Sequence, residues 1–464
     1  MKNFIKKASM STFANFFVLI VSIFSTLVFP KVLSVSDYSY WQLYVFYTSY
    51  VTIAGFGIIE GVYLTYGGKD YEELDNSVLS FCTYFLSVLL SIIFLALYIV
   101  SLFVVKNDMT KLVILFTCIN GIIFNIRVFP LFVFQATNKI KEFATALIIG
   151  RLVFLIISIV GIKYSNSLLL FMIADNVGCL ICSIYSYYKT KNKLLTKPTN
   201  YRNGIVHIKK FIKSGINLLI ASLVSAAILG VIKYFIKDSW DIIEFGKISL
   251  ILTFTNVFLK FATSIGQVLF PLLCNFKKEH SKKIYDLLIG IINLLIVLLF
   301  IFYYPVQKIL LLYLPNYAES IKYMSFLLPI CLYETQVALV FNTYYKSLRK
   351  EKELMRINVI VFILSFLTSF IFAKVLNNLF LSIFSILIIL FIRSTILEKY
   401  LSRKVLNVDK DYSFDSFLIS LVFIICNALI NGVVGFIVYT LFALIYIILN
   451  KNTIKKVISL LKSK

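Results

Sequence analysis

Along this chain, long apolar stretches alternate with short polar ones, and the apolar stretches have the length of a bilayer crossing. The hydrocarbon layer takes about 20 helical residues to cross. Breaking the pattern at charges, Pro and Gly predicts fourteen spans. In the first half of the chain they are Met10–Val32, Tyr40–Val62, Asn76–Val104, Leu112–Gln135, Phe143–Ile162 and Leu168–Tyr188. Then come Phe211–Ile236, Phe245–Leu273, Ile284–Tyr304, Ser320–Tyr345, Ile357–Lys374 and Leu379–Leu397, followed by Ser416–Ile430 and Val433–Asn450. The last two, joined only by Asn431-Gly432, are short enough to form a hairpin or one bent element. The first span follows a basic start without a small-residue cleavage site, so it reads as an uncleaved helix.

Composition agrees. Of 464 residues, 60% are hydrophobic, the mean hydropathy is +0.91, and the spans leave no room for a sizeable soluble domain. The expected class is an all-α polytopic membrane protein.

A net charge of +24 would suit a nucleic-acid partner, but its distribution argues otherwise. With alternate loops on alternate sides, 33 of the 46 Lys and Arg fall on the N-terminal side and ten on the other, while Arg127, Arg151 and Lys260 fall inside spans. That bias is the positive-inside pattern and predicts that both termini are cytoplasmic. The surplus is topology, so no nucleic acid is expected. Basic runs such as "KTKNKLLTK" and "KKEHSKK" anchor the inner face and can touch anionic membrane lipids.

Enzymatic and metal signatures are missing. Cys179 and Cys182 form a C-x-x-C, but in an apolar helix without a second pair, and His207 and His280 sit in basic loops without spaced partners, so neither metal nor redox chemistry is expected. There is no G-x-x-x-x-G-K-[ST] for an ATP-driven pump. A polymerase, ligase or acyltransferase would be expected to carry a large outer loop or an intramembrane His, so no enzyme and no cofactor is expected.

The chain also falls on itself at an offset of about 207 residues: Asp37-Tyr38-Ser39 on Glu244-Phe245-Gly246, Glu60 on Gln267, Ala14 on Ala221. Six spans repeat with preserved topology. The expected organisation is a six-helix bundle over 1–200, a second over 201–405, and two further helices with a basic tail over 406–464. Parallel repeats of this kind place a transporter's substrate between the halves near the midplane.

At Leu33-Ser34 through Tyr40-Trp41, and at Gly55-Phe56-Gly57, the chain resembles the polysaccharide transporter family, the flippases for lipid-linked O-antigen and capsule repeat units. Ser39 stands where that family usually has Gly, and Gly246 keeps it in the second half. "VLFPLL" around Pro271 and "LLYLPNYAESIKYMSFLLP" from Leu311 are similar as well. The resemblance implies a MATE-like fold of two pseudo-symmetric bundles in the bacterial inner membrane. It implies transport of undecaprenyl-diphosphate-linked oligosaccharide by alternating access, alongside other polysaccharide-assembly proteins. The wider superfamily includes MATE-type drug exporters and lipid II flippases, and both stay open as alternatives.

Charges at bilayer depth are costly unless they face a cavity or a partner. Counted from the outer helix ends, Asp175 lies roughly 11 Å deep, Arg151 roughly 17 Å, and Arg127, Lys260 and Glu334 roughly 20–24 Å. Arg127, Arg151 and Lys260 are the candidate diphosphate ligands of the polyprenyl-linked glycan, because cations in a low-dielectric wall attract phosphate strongly. For Arg127 and Lys260 the alternative is snorkelling toward the interface. Asp175 and Glu334 either couple transport to H⁺ or Na⁺ or neutralise neighbouring cations, Asp175 pairing with Arg151. Glu60 beside Gly61 reads as a cap. Asn120, Asn125, Asn176, Asn256, Gln267, Gln336 and Asn342 are candidate polar lining, and Tyr38, Tyr40, Tyr44 and Tyr47 read as an interfacial aromatic belt.

Overall fold

Backbone polar groups in lipid must be satisfied within the protein, which leaves helices or closed barrels as spanning structures. The computed structural model describes residues 2–199, 201–274, 281–348, 350–406, 412–430 and 432–451, and every regular element among them is helical. Among the described residues, thirteen helices are long and apolar enough to cross, and a bent pair makes up to fourteen. Contacts divide the chain into two units, Met1–Leu223 and Val224–Lys464. The division falls inside a 39-residue helix, Tyr201–Ser239, whereas the sequence-based expectation put the boundary in the basic loop before it.

The first unit begins with α1 (Lys2–Val32), α2 (Val35–Thr48) and α3 (Ile58–Tyr66). The second predicted span is corrected here: it is not one helix. A 3-10 turn over Val51–Gly55 follows α2, and the chain bends by 65° before α3. Phe56 and Gly57 take φ values of +48° and +79°, a left-handed backbone that no right-handed helix accommodates. Glu60, in the first turn of α3, complements that helix's positive end.

The start of α2 explains the motif there. Ser34 caps it, accepting from the Asp37 amide at 3.0 Å while its hydroxyl donates to Asp37 Oδ2 at 2.8 Å, a reciprocal cap. At the repeat offset, Asp241 accepts from the Glu244 amide at 2.7 Å, one residue before the helix Ile242–Cys274. Both repeats therefore enter their second span through the same device. The break is not repeated. Ile242–Cys274 runs unbroken, because Ala262-Thr263-Ser264 stands where the first half has Gly55-Phe56-Gly57.

The first unit continues through α4 (Asn76–Val104), α5 (Asp108–Ala136), α6 (Ile140–Tyr164), α7 (Leu168–Leu194) and the start of α8 (Tyr201–Ser239). Phe29 of α1 is fully buried against Trp41, Phe154 and Phe171, its ring centroid 4.1 Å from that of Phe171. Where α3 meets α8, the backbones touch. A Cβ on Gly215 would lie 2.0 Å from the Gly57 carbonyl oxygen, and one on Gly61 2.1 Å from that of Phe211. Such small-residue crossings replace the hydrophobic effect as the packing force between membrane helices. Gly215→Ala is therefore expected to cost about 1–3 kcal/mol from overpacking. Thermal unfolding in detergent checks this; an unchanged midpoint would refute the close contact.

The second unit comprises the rest of α8, then α9 (Ile242–Cys274), α10 (Ser281–Ile301), α11 (Tyr303–Tyr313) and the short α12 (Ala318–Lys322) and α13 (Met324–Leu327). Next are α14 (Ile330–Gln336), α15 (Asn342–Ser347), α16 (Glu351–Ser369), α17 (Leu379–Lys399), α18 (Tyr412–Ile424) and α19 (Gly432–Leu449). The predicted tenth span is thus built from several helical pieces. Widened π turns occur at Val337–Phe341, Phe370–Val375, Tyr400–Leu406 and Ile425–Ile430. The last two predicted spans form separate helices, each long enough to cross, turning at Gly432 with φ +66°. They pack on α10, Phe423 against Phe300 at 4.4 Å and Tyr439 Oη donating to the Val297 carbonyl at 3.3 Å.

Candidate functional site

In the N-terminal unit, α6 and α7 cross where Gly150 meets Gly178: a Cβ on Gly178 would lie 2.6 Å from the Gly150 carbonyl oxygen. Arg151 follows the first glycine and Asp175 precedes the second by one turn, so the crossing brings their side chains together. Arg151 Nη1 donates to Asp175 Oδ1 at 3.3 Å. The other carboxylate oxygen accepts from Tyr44 Oη at 2.9 Å and from Asn120 Nδ2 at 3.3 Å. Asn176 Nδ2 donates to the Tyr44 oxygen at 3.1 Å. Four helices, α2, α5, α6 and α7, converge on one carboxylate.

That arrangement accounts for the cost of Asp175. Its charge is met by a guanidinium and two neutral donors, as buried charges require. The pair is long, whereas tight charge-assisted bonds lie at about 2.7–2.9 Å. The Arg151 side chain is 36% exposed against 18% for Asp175, so most of its five donors stay available to a guest.

Arg127 lies on α5, two turns beyond Asn120, and is 9% exposed. Burial rules out snorkelling. Its guanidinium carbon lies 4.7 Å from the Phe124 ring centroid, its Nε is buried without a hydrogen-bond partner, and among the described residues no carboxylate lies within ion-pair distance of it. The ring face offsets only part of the cost of enclosing that cation, and no described acid offsets the rest.

The remaining candidates of this unit separate. Asn120 and Asn176 belong to the carboxylate network. Asn125 does not line it: its amide donates to the Val51 carbonyl at 2.9 Å and to the Gly121 carbonyl at 2.8 Å, which ties the broken second span to α5. The aromatic belt is also corrected. Tyr38, Tyr40 and Tyr44 are buried, and Tyr40 Oη reaches Asn107 Oδ1 at 3.2 Å, so they are core and network residues rather than interfacial anchors.

The C-terminal unit carries its own charge cluster, centred on a residue missed in the sequence. Arg393 lies within α17 and is 2% exposed. The charge count above assigned it to the inner loop because it is one turn from the predicted end of its span. Its Nη1 donates to Glu334 Oε1 at 3.0 Å, its Nε to Asn358 Oδ1 at 3.1 Å and its Nη2 to Ser225 Oγ at 2.7 Å. Helices α8, α14, α16 and α17 are joined by that one guanidinium. Its presence within a predicted apolar span was the signal available.

Gln336, two residues on, donates to Asn293 Oδ1 at 2.8 Å and Ser416 Oγ at 2.7 Å and accepts from Ser394 Oγ at 3.1 Å. It is interhelical glue, linking α10, α17 and α18. Lys260 and Asn256 are exposed and one turn apart on α9. Asn342 is half-buried where the π turn passes into α15. The Gln267 side chain lies outside the described residues.

At the repeat offset, Glu334 falls on Arg127 and Asn358 on Arg151. Equivalent positions therefore carry opposite electrostatics: a cation without a described acid in the first unit, a carboxylate paired with Arg393 in the second.

The chain matches no protein-family profile and no curated protein. Among solved structures, the lipid II flippase MurJ in an inward closed conformation is similar over 96% of this chain and 99% of its own, with a TM-score of 0.66 and 16% identity. An inward-facing multidrug resistance transporter of the MATE family is similar over 89% and 94%, with a TM-score of 0.62 and 12% identity. A transporter from Pyrococcus furiosus, described by the reverse polarity of its binding pocket, is similar over 87% and 96%, with a TM-score of 0.55 and 12% identity. The chain is thus a multi-pass, all-α membrane protein with the fold of the MOP-superfamily transporters and flippases.

Proposed function

We propose that this protein is a flippase that moves undecaprenyl-diphosphate-linked oligosaccharide from the cytoplasmic to the outer leaflet of a bacterial inner membrane by alternating access. The observation that carries the reading is Arg127, an enclosed cation without a described acid partner, two turns along α5 from a network in which Arg151 keeps donors free. A diphosphate supplies the missing anions, and the bidentate fork of Arg suits phosphate oxygens. The sequence motifs around Ser34 and Gly57 support a lipid-linked repeat unit, and the charge bias of the loops supports cytoplasmic termini. Lys260, exposed on α9, is a candidate phosphate contact within the second unit. Asp175 holds Arg151 in place. Coupling to H⁺ or Na⁺ at Asp175 is part of the same proposal.

A cationic drug is disfavoured, because the carboxylate it would need in this unit is already held by Arg151, Tyr44 and Asn120. The deciding experiment resolves lipid-linked repeat units by leaflet in cells lacking the protein. Accumulation on the inner leaflet is expected. Normal delivery with increased drug sensitivity would replace this reading by an exporter, and inner-leaflet accumulation of lipid II alone by a lipid II flippase.

A further inference from the structure

Helix α2 and the turn after it carry the stretch Tyr47-Thr48-Ser49-Tyr50-Val51-Thr52, five hydroxyl side chains in six residues. Counted from Val35, it runs from roughly 18 to 26 Å along the span, from near the middle of a hydrocarbon layer about 30 Å thick toward its inner face. Interfacial aromatics sit at headgroup level, and Tyr47, at roughly 18 Å, lies away from both interfaces. Ser49 is exposed, and Tyr47, Thr48, Tyr50 and Thr52 are half-buried. Thr48 Oγ1 donates to the Val45 carbonyl at 3.0 Å and Ser49 Oγ to the Phe46 carbonyl at 2.6 Å, so these two hydroxyl protons are satisfied locally and their oxygens keep the capacity to accept. The Phe46 ring lies 5.8 Å from that of Tyr47 and 5.4 Å from that of Tyr50.

The stretch leads into the break at Phe56, a residue that is 46% exposed. Backbone that leaves the helix at membrane depth persists only where protein buries it or water reaches it. Here protein buries it, with Asn125 on the Val51 carbonyl and Gly215 and Ile216 against Gly57, and the accessible hydroxyls before it form a polar strip. Three chemistries can be compared for its occupant. An acyl chain gains nothing from hydroxyls, and an anion or a cation finds no opposite charge within the stretch. A neutral ligand with many hydroxyls and flat C–H faces matches both the hydrogen-bonding groups and the rings. Tyr44, one turn before Thr48, reaches the Asp175 and Arg151 cluster, so the strip and the candidate diphosphate ligands belong to one helix neighbourhood.

We propose that Phe46, Tyr47, Thr48, Ser49, Tyr50 and Thr52 form the subsite for the sugar rings of the transported lipid. The proposal rests on the flippase reading above and adds where the glycan is recognised. Its test uses the full-length protein in nanodiscs and two probes, bare undecaprenyl diphosphate and undecaprenyl-diphosphate-linked oligosaccharide extracted from native cells that accumulate it. Replacing both rings, Tyr47→Ala with Tyr50→Ala, is expected to weaken binding of the glycan-bearing probe about tenfold and to leave the bare probe within roughly twofold. Tyr47→Phe with Tyr50→Phe keeps the rings and is expected to hold within about threefold of wild type. Equal losses on both probes, no loss on either, or a wild-type protein that binds the two probes equally would each overturn the sugar subsite and leave the flippase reading standing. A wild-type protein that binds neither probe would overturn both.

Discussion

Arg393→Leu is expected to destabilise the C-terminal unit by about 3–5 kcal/mol, the cost of breaking a buried ion pair by removing one partner. The guanidinium is 2% exposed and joins four helices through Glu334, Asn358 and Ser225. Its removal leaves the Glu334 carboxylate, 21% exposed, without its cation, and Asn358 and Ser225 without their donor. The double variant Arg393→Leu with Glu334→Leu removes the orphaned charge and is expected to recover a large part of the loss, since apolar replacement of both partners is often neutral. Thermal unfolding of the solubilised protein reads both. If the single variant unfolds like wild type, Arg393 is no structural tie, and it joins the candidate anion ligands.

Arg127→Gln is expected to behave in the opposite way. Translocation of lipid-linked oligosaccharide should fall by about one to two orders of magnitude, because a charge-assisted bond contributes about 1.5–3 kcal/mol. Stability should hold or rise, since an enclosed cation without an acid costs folding energy. This separation of activity from stability is what identifies a binding cation. Full translocation by the variant would remove Arg127 from the site, and a parallel fall in stability would mean that it serves the fold.

The two arginines show how far sequence alone could reach. Both lie inside apolar stretches, although in sequence Arg127 reads as a charge within its span and Arg393 as one of the inner loop. Their neighbours separate them: Arg127 faces a ring and no described acid, while Arg393 is enclosed by Glu334, Asn358 and Ser225. Those neighbours come from helices up to 168 residues away in sequence. Asp175 is similar: its pairing with Arg151, 24 residues away, was readable from adjacent spans, but Tyr44 lies 131 residues off. The break at Phe56 and Gly57 was written in the glycines, yet a hydropathy window passes over it, since Phe and Gly leave the mean apolar.

The sequence by itself determined that the chain spans a membrane many times, because bilayer thickness and unmet backbone polarity leave a long apolar run few other states. It also determined how each repeat enters its second span, since the Ser34 and Asp241 caps are contacts between residues three apart. Which buried charge is balanced by a neighbouring acid and which is not was decided only by tertiary structure. Helix facing and partner distance set an ion's surroundings, and neither is fixed by local spacing.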